Sequence, residues 1–166
     1  MRFGFFTLFA VGVLLAGCAS EPEEFGASPS AGSAVGSAGD AGAVTAADPR
    51  TQEWLVLNVG DRVFFDYDKS NLTSDDQDSI QKVVAWMQTY PDVTLTLEGH
   101  ADERGTREYN LALGERRANA VRRYMEALGI DSARLSVISY GNQQPAMLGS
   151  NELAWAQNRR AVFVVN

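Results

Sequence analysis

Hydrophobic and polar residues divide the chain into three stretches of different character. Residues 3–15 form an uninterrupted, mostly apolar run, residues 19–49 contain almost no large apolar side chain, and residues 51–166 show regular alternation of apolar and polar positions. Only a stretch with periodic apolar positions can bury enough surface to offset the entropy lost on folding. The sequence therefore predicts a folded domain over 51–166, preceded by two segments with other roles, 1–17 and 18–50.

The periodicity within 51–166 switches between that of strands and that of helices. Val93, Leu95 and Leu97 alternate with polar residues, which is typical of a strand with one buried and one wet face. The predicted order is strands over 54–59 and 62–65, a helix from a Ser74/Gln77 capping box to Pro91, a strand over 93–97, a helix from Thr106 to Gly129, a strand over 135–140, a short helix over 151–157 and a strand over 161–165. This order predicts a two-layer α/β domain, with a mixed sheet and helices on one face.

The amino terminus has the features of a secretory signal peptide. Met1 and Arg2 precede the apolar run, and the small residues before Cys18 are typical of a cleavage site. The sequence LAGC also resembles the lipobox of bacterial lipoproteins, which implies that Cys18 becomes the acylated first residue of the mature chain. No aspartate follows Cys18, so the resemblance implies transport to the outer membrane.

The segment after Cys18 has the composition of a flexible linker. Of the 31 residues from 19 to 49, nine are Ala, five Gly, five Ser and three Pro. Such a disordered tether has a root-mean-square span of about 30 Å and an extended limit of roughly 100 Å. We expect it to let the folded domain move well clear of a membrane surface.

Composition and charge exclude several classes of protein. The chain of 166 residues carries 14 basic and 21 acidic groups and a single cysteine. One cysteine can form neither an intramolecular disulfide nor a cysteine-rich zinc site. The acidic balance argues against nucleic acid as a partner, because affinity for phosphates requires many Lys and Arg contacts.

The junction between the strand over 93–97 and the following helix concentrates the candidate chemistry. Asp102 follows the strand, and Asn110 and Arg117 lie on one stripe of the helix. A carboxylate and a guanidinium held close together suit the amine and the carboxylate of an amino-acid head group. The alternative is that Asp102 and Arg117 pair with each other or with solvent.

An enzymatic interpretation is weaker. His100, Asp102 and Glu103 could form a metal or acid–base cluster, but the chain has no second histidine to complete it. The sequence also lacks a nucleophilic serine elbow and a phosphate-binding loop. We therefore expect neither catalysis nor a cofactor nor a metal.

Five motifs in a fixed order resemble the OmpA-like peptidoglycan-binding family and, within it, the lipoproteins of the Tol system. They are FFDYDKSNL, GHADERGTREYN, LGERRANAV, SYG and AWAQNRRAV, and together they cover about 58–166. The ligand implied by the resemblance is the diaminopimelate residue of the peptidoglycan peptide, whose side-chain end carries a free amine and a carboxylate. The resemblance assigns the amine to Asp102, the carboxylate to Arg117, a further contact to Asn110, and the lining of the pocket to Tyr67, Asp68 and Ala101. Arg159 and Arg160 match paired arginines of the family, either of which could be the buried one.

The same resemblance implies a function and partners. It implies a lipid-anchored tether in the outer membrane that faces the periplasm, binds peptidoglycan, and contacts TolB and other Tol proteins to support envelope integrity and constriction during cell division. A wall-binding lipoprotein outside the Tol system is the alternative. A flagellar-stator-like protein would need a membrane-spanning helix, and the sequence offers none after Cys18. Trp86 could belong to the core or to a partner surface, whereas Trp155 is expected to pack.

Overall fold

The computed structural model of the protein describes residues 48–166. Four helices and four strands alternate along this segment, with one short 3₁₀ turn at Ser132–Arg134. In chain order they are α1 (Gln52–Asn58), β1 (Arg62–Phe64), α2 (Ser74–Thr89), β2 (Leu95–His100), α3 (Arg107–Ala127), β3 (Leu135–Gly141), α4 (Glu152–Asn158) and β4 (Arg160–Val165).

The strands form one mixed sheet in the order β1-β4-β2-β3. β2 runs parallel to β3 and antiparallel to β4, and β4 runs antiparallel to β1. The long helix α3 connects the two parallel strands, as a parallel pair requires. The predicted two-layer α/β fold with a mixed sheet is confirmed.

The hydrophobic core lies between one face of this sheet and helices α2 and α3. Leu95 and Leu97 of β2 and Phe163 of β4 point to this side, because alternate residues of a strand share a face. They pack in one cluster with apolar residues at helical spacing on α2 (Ile80, Val83, Val84 and Met87) and on α3 (Ala118, Val121 and Met125).

Helix α3 approaches the sheet unusually closely at two glycines. A Cβ atom built on Gly99 of β2 would lie 1.9 Å from the carbonyl oxygen of Gly114 on α3. A Cβ atom on Gly114 would lie 2.4 Å from Ser139 Oγ of β3. Both positions require glycine, so the amino-terminal half of α3 is fixed against the carboxyl end of β2.

Two details differ from the prediction. The residues predicted as a strand over 54–59 form helix α1, whose N-cap Thr51 accepts a hydrogen bond from the backbone N–H of Trp54. The capping box of α2 is made by Thr73 and Asp76 rather than by Ser74 and Gln77, because Thr73 is the residue with extended backbone. The predicted signal peptide, Cys18 and the linker up to residue 47 lie outside the described residues.

Within residues 48–166, no helix is long and apolar enough to cross a membrane.

Candidate functional site

A small polar pocket lies where β2 ends and α3 begins. Its volume is about 150 Å³, which is small beside the several hundred cubic ångströms of a typical drug-sized site. The space suits the end of one side chain rather than a whole sugar. Its walls are Tyr67, Asp68, Asp102, Arg104, Gly105, Tyr109, Asn110, Leu113 and Arg117.

Arg117 forms the floor of the pocket and is completely buried. Its guanidinium donates hydrogen bonds to three backbone carbonyl oxygens, those of Lys69 (2.9 Å), His100 (2.8 Å) and Asp66 (3.1 Å). Burial lowers the pKa of Arg117 to about 10, an effect that the nearby Asp102 opposes. The group therefore still carries its charge at neutral pH.

That buried charge has no carboxylate partner among residues 48–166. The ion pairs of this segment include neither an Arg117–Asp102 pair nor any other pair to Arg117. Three hydrogen bonds also use only three of the five N–H donors of a guanidinium. A buried charge without a counter-ion is costly, so the arrangement favours an anion as ligand.

Asp102 lies in the same pocket but is already paired. Arg104 Nη2 lies 2.6 Å from Asp102 Oδ2, and Arg159 Nη1 lies 3.5 Å from the same oxygen. Burial is the largest single influence on the pKa of Asp102 and raises it, but the hydrogen bonds and charge of Arg104, together with Arg159, hold this pKa below its ordinary value. The alternative that Asp102 and Arg117 pair with each other is therefore wrong.

The other predicted residues build the walls around these two groups. Asn110 is buried, and its side-chain amide donates to the carbonyl of Asp102 at 3.2 Å. Asp68 has a positive φ of 56°, a conformation that aspartate tolerates better than most residues. The turn around Asp68 directs the carbonyls of Asp66 and Lys69 toward Arg117.

Five of the six predicted pocket residues therefore meet in one place, and Ala101 does not. Ala101 lines a neighbouring cavity instead, and its backbone N–H donates to the carbonyl of Gly141 at 2.8 Å. Arg159 and Arg160 are both buried, which answers the question that the sequence left open.

The predicted pocket residues leave out four that line it, Arg104, Gly105, Tyr109 and Leu113. The Tyr109 hydroxyl donates a hydrogen bond to the Asp68 carboxylate. Tyr109 lies one residue before Asn110 at the start of α3, so its place in the first turn was the available signal. Arg104 lies two residues after Asp102, and this proximity was the signal for their pairing. Its contacts with Tyr67 and Trp155 join residues far apart in the chain and had no local signal.

His100 was a member of the metal or acid–base cluster that the sequence disfavoured. It lies outside the pocket, stacks on Tyr140 with ring centroids 5.6 Å apart, and is buried. Burial, assisted by Arg160 and Arg62, lowers the pKa of His100 to about 4. The described part of the chain contains no group of three or more His, Cys, Asp or Glu side chains that could hold a metal ion.

Comparisons with known proteins identify the fold and the family. Residues 64–159 match the OmpA family. The chain is 49% identical over 130 residues to the peptidoglycan-associated lipoprotein of Brucella melitensis, covering 78% of this chain and 77% of that protein. The chain belongs to the OmpA family. The matched range contains every residue that lines the pocket.

Other OmpA-family relatives give the same result. The peptidoglycan-associated lipoprotein of Agrobacterium fabrum is 44% identical over 151 residues, which are 91% of this chain and 81% of that protein. The crystal structure of the peptidoglycan-associated lipoprotein from Burkholderia pseudomallei superposes with a TM-score of 0.62 at 40% identity, covering 64% of this chain and 90% of that chain. The resemblance predicted from the five motifs is confirmed.

Proposed function

We propose that the protein is a non-enzymatic lipoprotein that binds peptidoglycan through the diaminopimelate residue of the peptide stem. The observation that carries the proposal is Arg117, a fully buried cation at the floor of a small pocket, with two N–H donors unused and no carboxylate partner in residues 48–166. The names of the relatives, peptidoglycan-associated lipoproteins, support peptidoglycan as the polymer that is bound.

The chemistry of the pocket suits the zwitterionic end of diaminopimelate. The ligand carboxylate would take the remaining donors of Arg117, and the ammonium would approach Asp102, with Asn110 beside them. Each charge-assisted hydrogen bond contributes about 1.5 to 3 kcal/mol. One such contact is modest, but many anchored copies that face a polymer raise the effective concentration of sites.

The amino-terminal segment supplies the other attachment. In this proposal residues 1–17 are removed, Cys18 carries the acyl chains, and residues 18–50 join the anchor to the domain over 51–166. Acylation with more than one chain gives stable attachment to a membrane. The protein would then connect the outer membrane to the wall from the periplasmic side.

Binding to purified cell-wall sacculi tests the ligand. We expect the wild-type chain to sediment with sacculi, and Arg117→Gln to stay in the supernatant because it removes the cation that receives the ligand carboxylate. Arg123→Gln is the matched control, since Arg123 lies on the same helix and is exposed. Circular dichroism of each variant verifies folding.

A competition experiment sharpens the test. A soluble tripeptide that ends in free diaminopimelate should release the protein from sacculi, and the same tripeptide with an amidated side-chain carboxyl should not. Release by both peptides, or sedimentation of a folded Arg117→Gln variant, would contradict the assignment of Arg117 to a carboxylate.

We also propose that the protein acts within the Tol system, with TolB as a partner, in envelope integrity and cell division. The alternative is a wall-binding OmpA-family lipoprotein outside that system. A pull-down with TolB separates the two, and a soluble peptidoglycan fragment that lowers TolB capture would indicate competition between the partners. The absence of capture under both conditions would favour the alternative.

A further inference from the structure

The carboxylate that the proposed ligand needs is covered by a neighbouring side chain. Asp102 is only 4% exposed. Arg104 closes over it with Nη2 at 2.6 Å from Oδ2 and Nε at 3.3 Å from Oδ1, and its backbone N–H also donates to Oδ1 at 3.1 Å. An incoming ammonium therefore meets a carboxylate that already has a cation.

Two aromatic rings hold Arg104 in this position. Its guanidinium carbon lies 4.0 Å from the ring centroid of Tyr67 and 4.1 Å from that of Trp155. Trp155 is itself held by Glu103, whose Oε1 accepts from the indole N–H at 3.0 Å. Both rings attract a cation to their faces, so they hold the Arg104 guanidinium in a defined position between them.

Of the two arginines on Asp102, only Arg104 is free to leave. Arg159 is buried, donates to the carbonyl of Phe65 at 2.9 Å and pairs with Glu152 at 2.8 Å. The side chain of Arg104 is 29% exposed and, within residues 48–166, has Asp102 as its only ion-pair partner. Release of Arg104 therefore breaks one ion pair and two cation–π contacts, and it disturbs no backbone hydrogen bond of another element.

We propose that Arg104 is a specificity-determining latch, a competing cation that holds Asp102 until the ammonium of the ligand displaces it. The inference rests on the proposed function. It predicts that a ligand with only a carboxylate leaves Arg104 in place. A ligand with both charges forms two new ion pairs, one with Arg117 and one with Asp102. Together they offset the free-energy cost of displacing Arg104.

The competing arrangement leaves Arg104 on Asp102 and places the ammonium on Asp68. Asp68 lines the same pocket and, unlike Asp102, is exposed. The two arrangements predict different effects of removing the Arg104 cation. Without Arg104, Asp102 loses its main partner and should bind an ammonium more tightly, whereas an ammonium on Asp68 would be unaffected.

Calorimetric titration of the full lipidated chain in detergent with a soluble diaminopimelate tripeptide distinguishes them. We expect Arg104→Gln to bind about tenfold more tightly than wild type, equivalent to about 1.4 kcal/mol. The control variant Arg123→Gln should bind like wild type. In the wild type, the emission of Trp155 should change on binding as the guanidinium leaves its ring, and Trp155→Phe should remove that change.

Equal or weaker binding by Arg104→Gln would overturn the latch. If Asp68→Asn then lost binding, the ammonium would lie on Asp68, and asparagine tolerates the positive φ at that position. Absence of tripeptide binding by the wild type, together with failure to sediment with sacculi, would instead remove the proposed function and the latch with it.

Discussion

At the scale of single residues, Arg117 has a structural role beside the binding role proposed for it. Its three carbonyl contacts join the turn around Asp68 to the end of β2. A lysine keeps the charge but not the planar fork of donors. We expect Arg117→Lys to lower the free energy of unfolding by about 3 kcal/mol, because hydrogen bonds to charged groups contribute about 1.5 to 3 kcal/mol each.

Urea denaturation measures this loss, and sedimentation with sacculi measures binding by the folded fraction. Arg123→Lys, on the exposed side of the same helix, should match the wild type in both. A stable Arg117→Lys protein that binds the wall normally would show that the charge alone suffices.

His100 predicts a pH dependence of stability that is separate from ligand binding. Burial holds its pKa at about 4 in the folded protein, against 6.5 when it is exposed. The unfolded chain therefore takes up the proton first, so stability is full above pH 6.5 and is lost as the pH falls toward 4. Between pH 7 and pH 5 the loss should be about 2 kcal/mol.

The environment of His100 gives the controls for that prediction. Arg160 and Arg62 oppose its protonation, and Glu98, with Oε2 3.7 Å from Nε2, is the carboxylate that would favour it. Because His100 is the only histidine, its imidazole signals in an NMR titration report this pKa directly. His100→Gln should flatten the stability profile between pH 7 and pH 5, and a measured pKa near 6.5 would contradict the prediction.

The residues of the pocket differ in how well the sequence alone predicts them. Asp102, Asn110 and Arg117 were predicted because they lie close together in the chain, at a strand end and on one helix stripe. The contacts of the proposed latch were not predictable, since Tyr67, Arg104 and Trp155 meet only after β1, α3 and α4 have packed. The pairing of Asp102 with Arg104 is local, since the two residues are two apart in the chain.

At the scale of elements, the close contact between α3 and the sheet predicts that Gly114→Ala is destabilising, whereas helix propensity alone predicts that it is stabilising. Alanine favours a helix over glycine by about 1 kcal/mol, yet a Cβ at Gly114 would lie 2.4 Å from Ser139 Oγ and 2.7 Å from the Gly99 carbonyl oxygen. We expect Gly114→Ala to destabilise the domain by about 3 kcal/mol, as overpacking does.

Thermal unfolding of Gly114→Ala checks this expectation. Ala112→Gly on the exposed side of α3 is the control and should cost about 1 kcal/mol, the propensity difference alone. A Gly114→Ala protein at least as stable as the wild type would mean that α3 can move away from the sheet at little cost.

The helices and strands were predictable where their pattern was long. The alternation in β2 and the helical spacing in α2 and α3 gave the right element types, and Thr106 was correctly predicted as the N-cap of α3. The short apolar run that forms α1 fits the periodicity of a helix as well as that of a strand, and the N-cap at Thr51 favours the helix. Trp86, ambiguous in the sequence, is buried and stacks on Trp54 of that helix.

At the scale of the whole molecule, the last residues of the predicted linker contact the domain near the start of β2, and the pocket lies beyond the end of β2. Pro49 accepts a hydrogen bond from the Trp86 indole at 2.8 Å, and Arg50 pairs with Asp92 at 3.1 Å, just before β2 begins. The pocket follows the other end of β2, six residues further on. At about 3.3 Å per residue this separation is roughly 20 Å.

This separation predicts that the two proposed attachments can be removed one at a time. Cys18→Ala removes the acyl anchor and leaves the pocket unchanged, so the protein should leave the membrane fraction and still sediment with sacculi. Arg117→Gln should do the reverse, remaining with membranes and leaving the sacculi. Fractionation of cells that express each variant, with immunoblotting of the membrane and wall fractions, measures both. Loss of wall binding in the Cys18→Ala variant would mean that binding requires the many copies aligned by the membrane, whereas membrane retention of that variant would contradict acylation at Cys18.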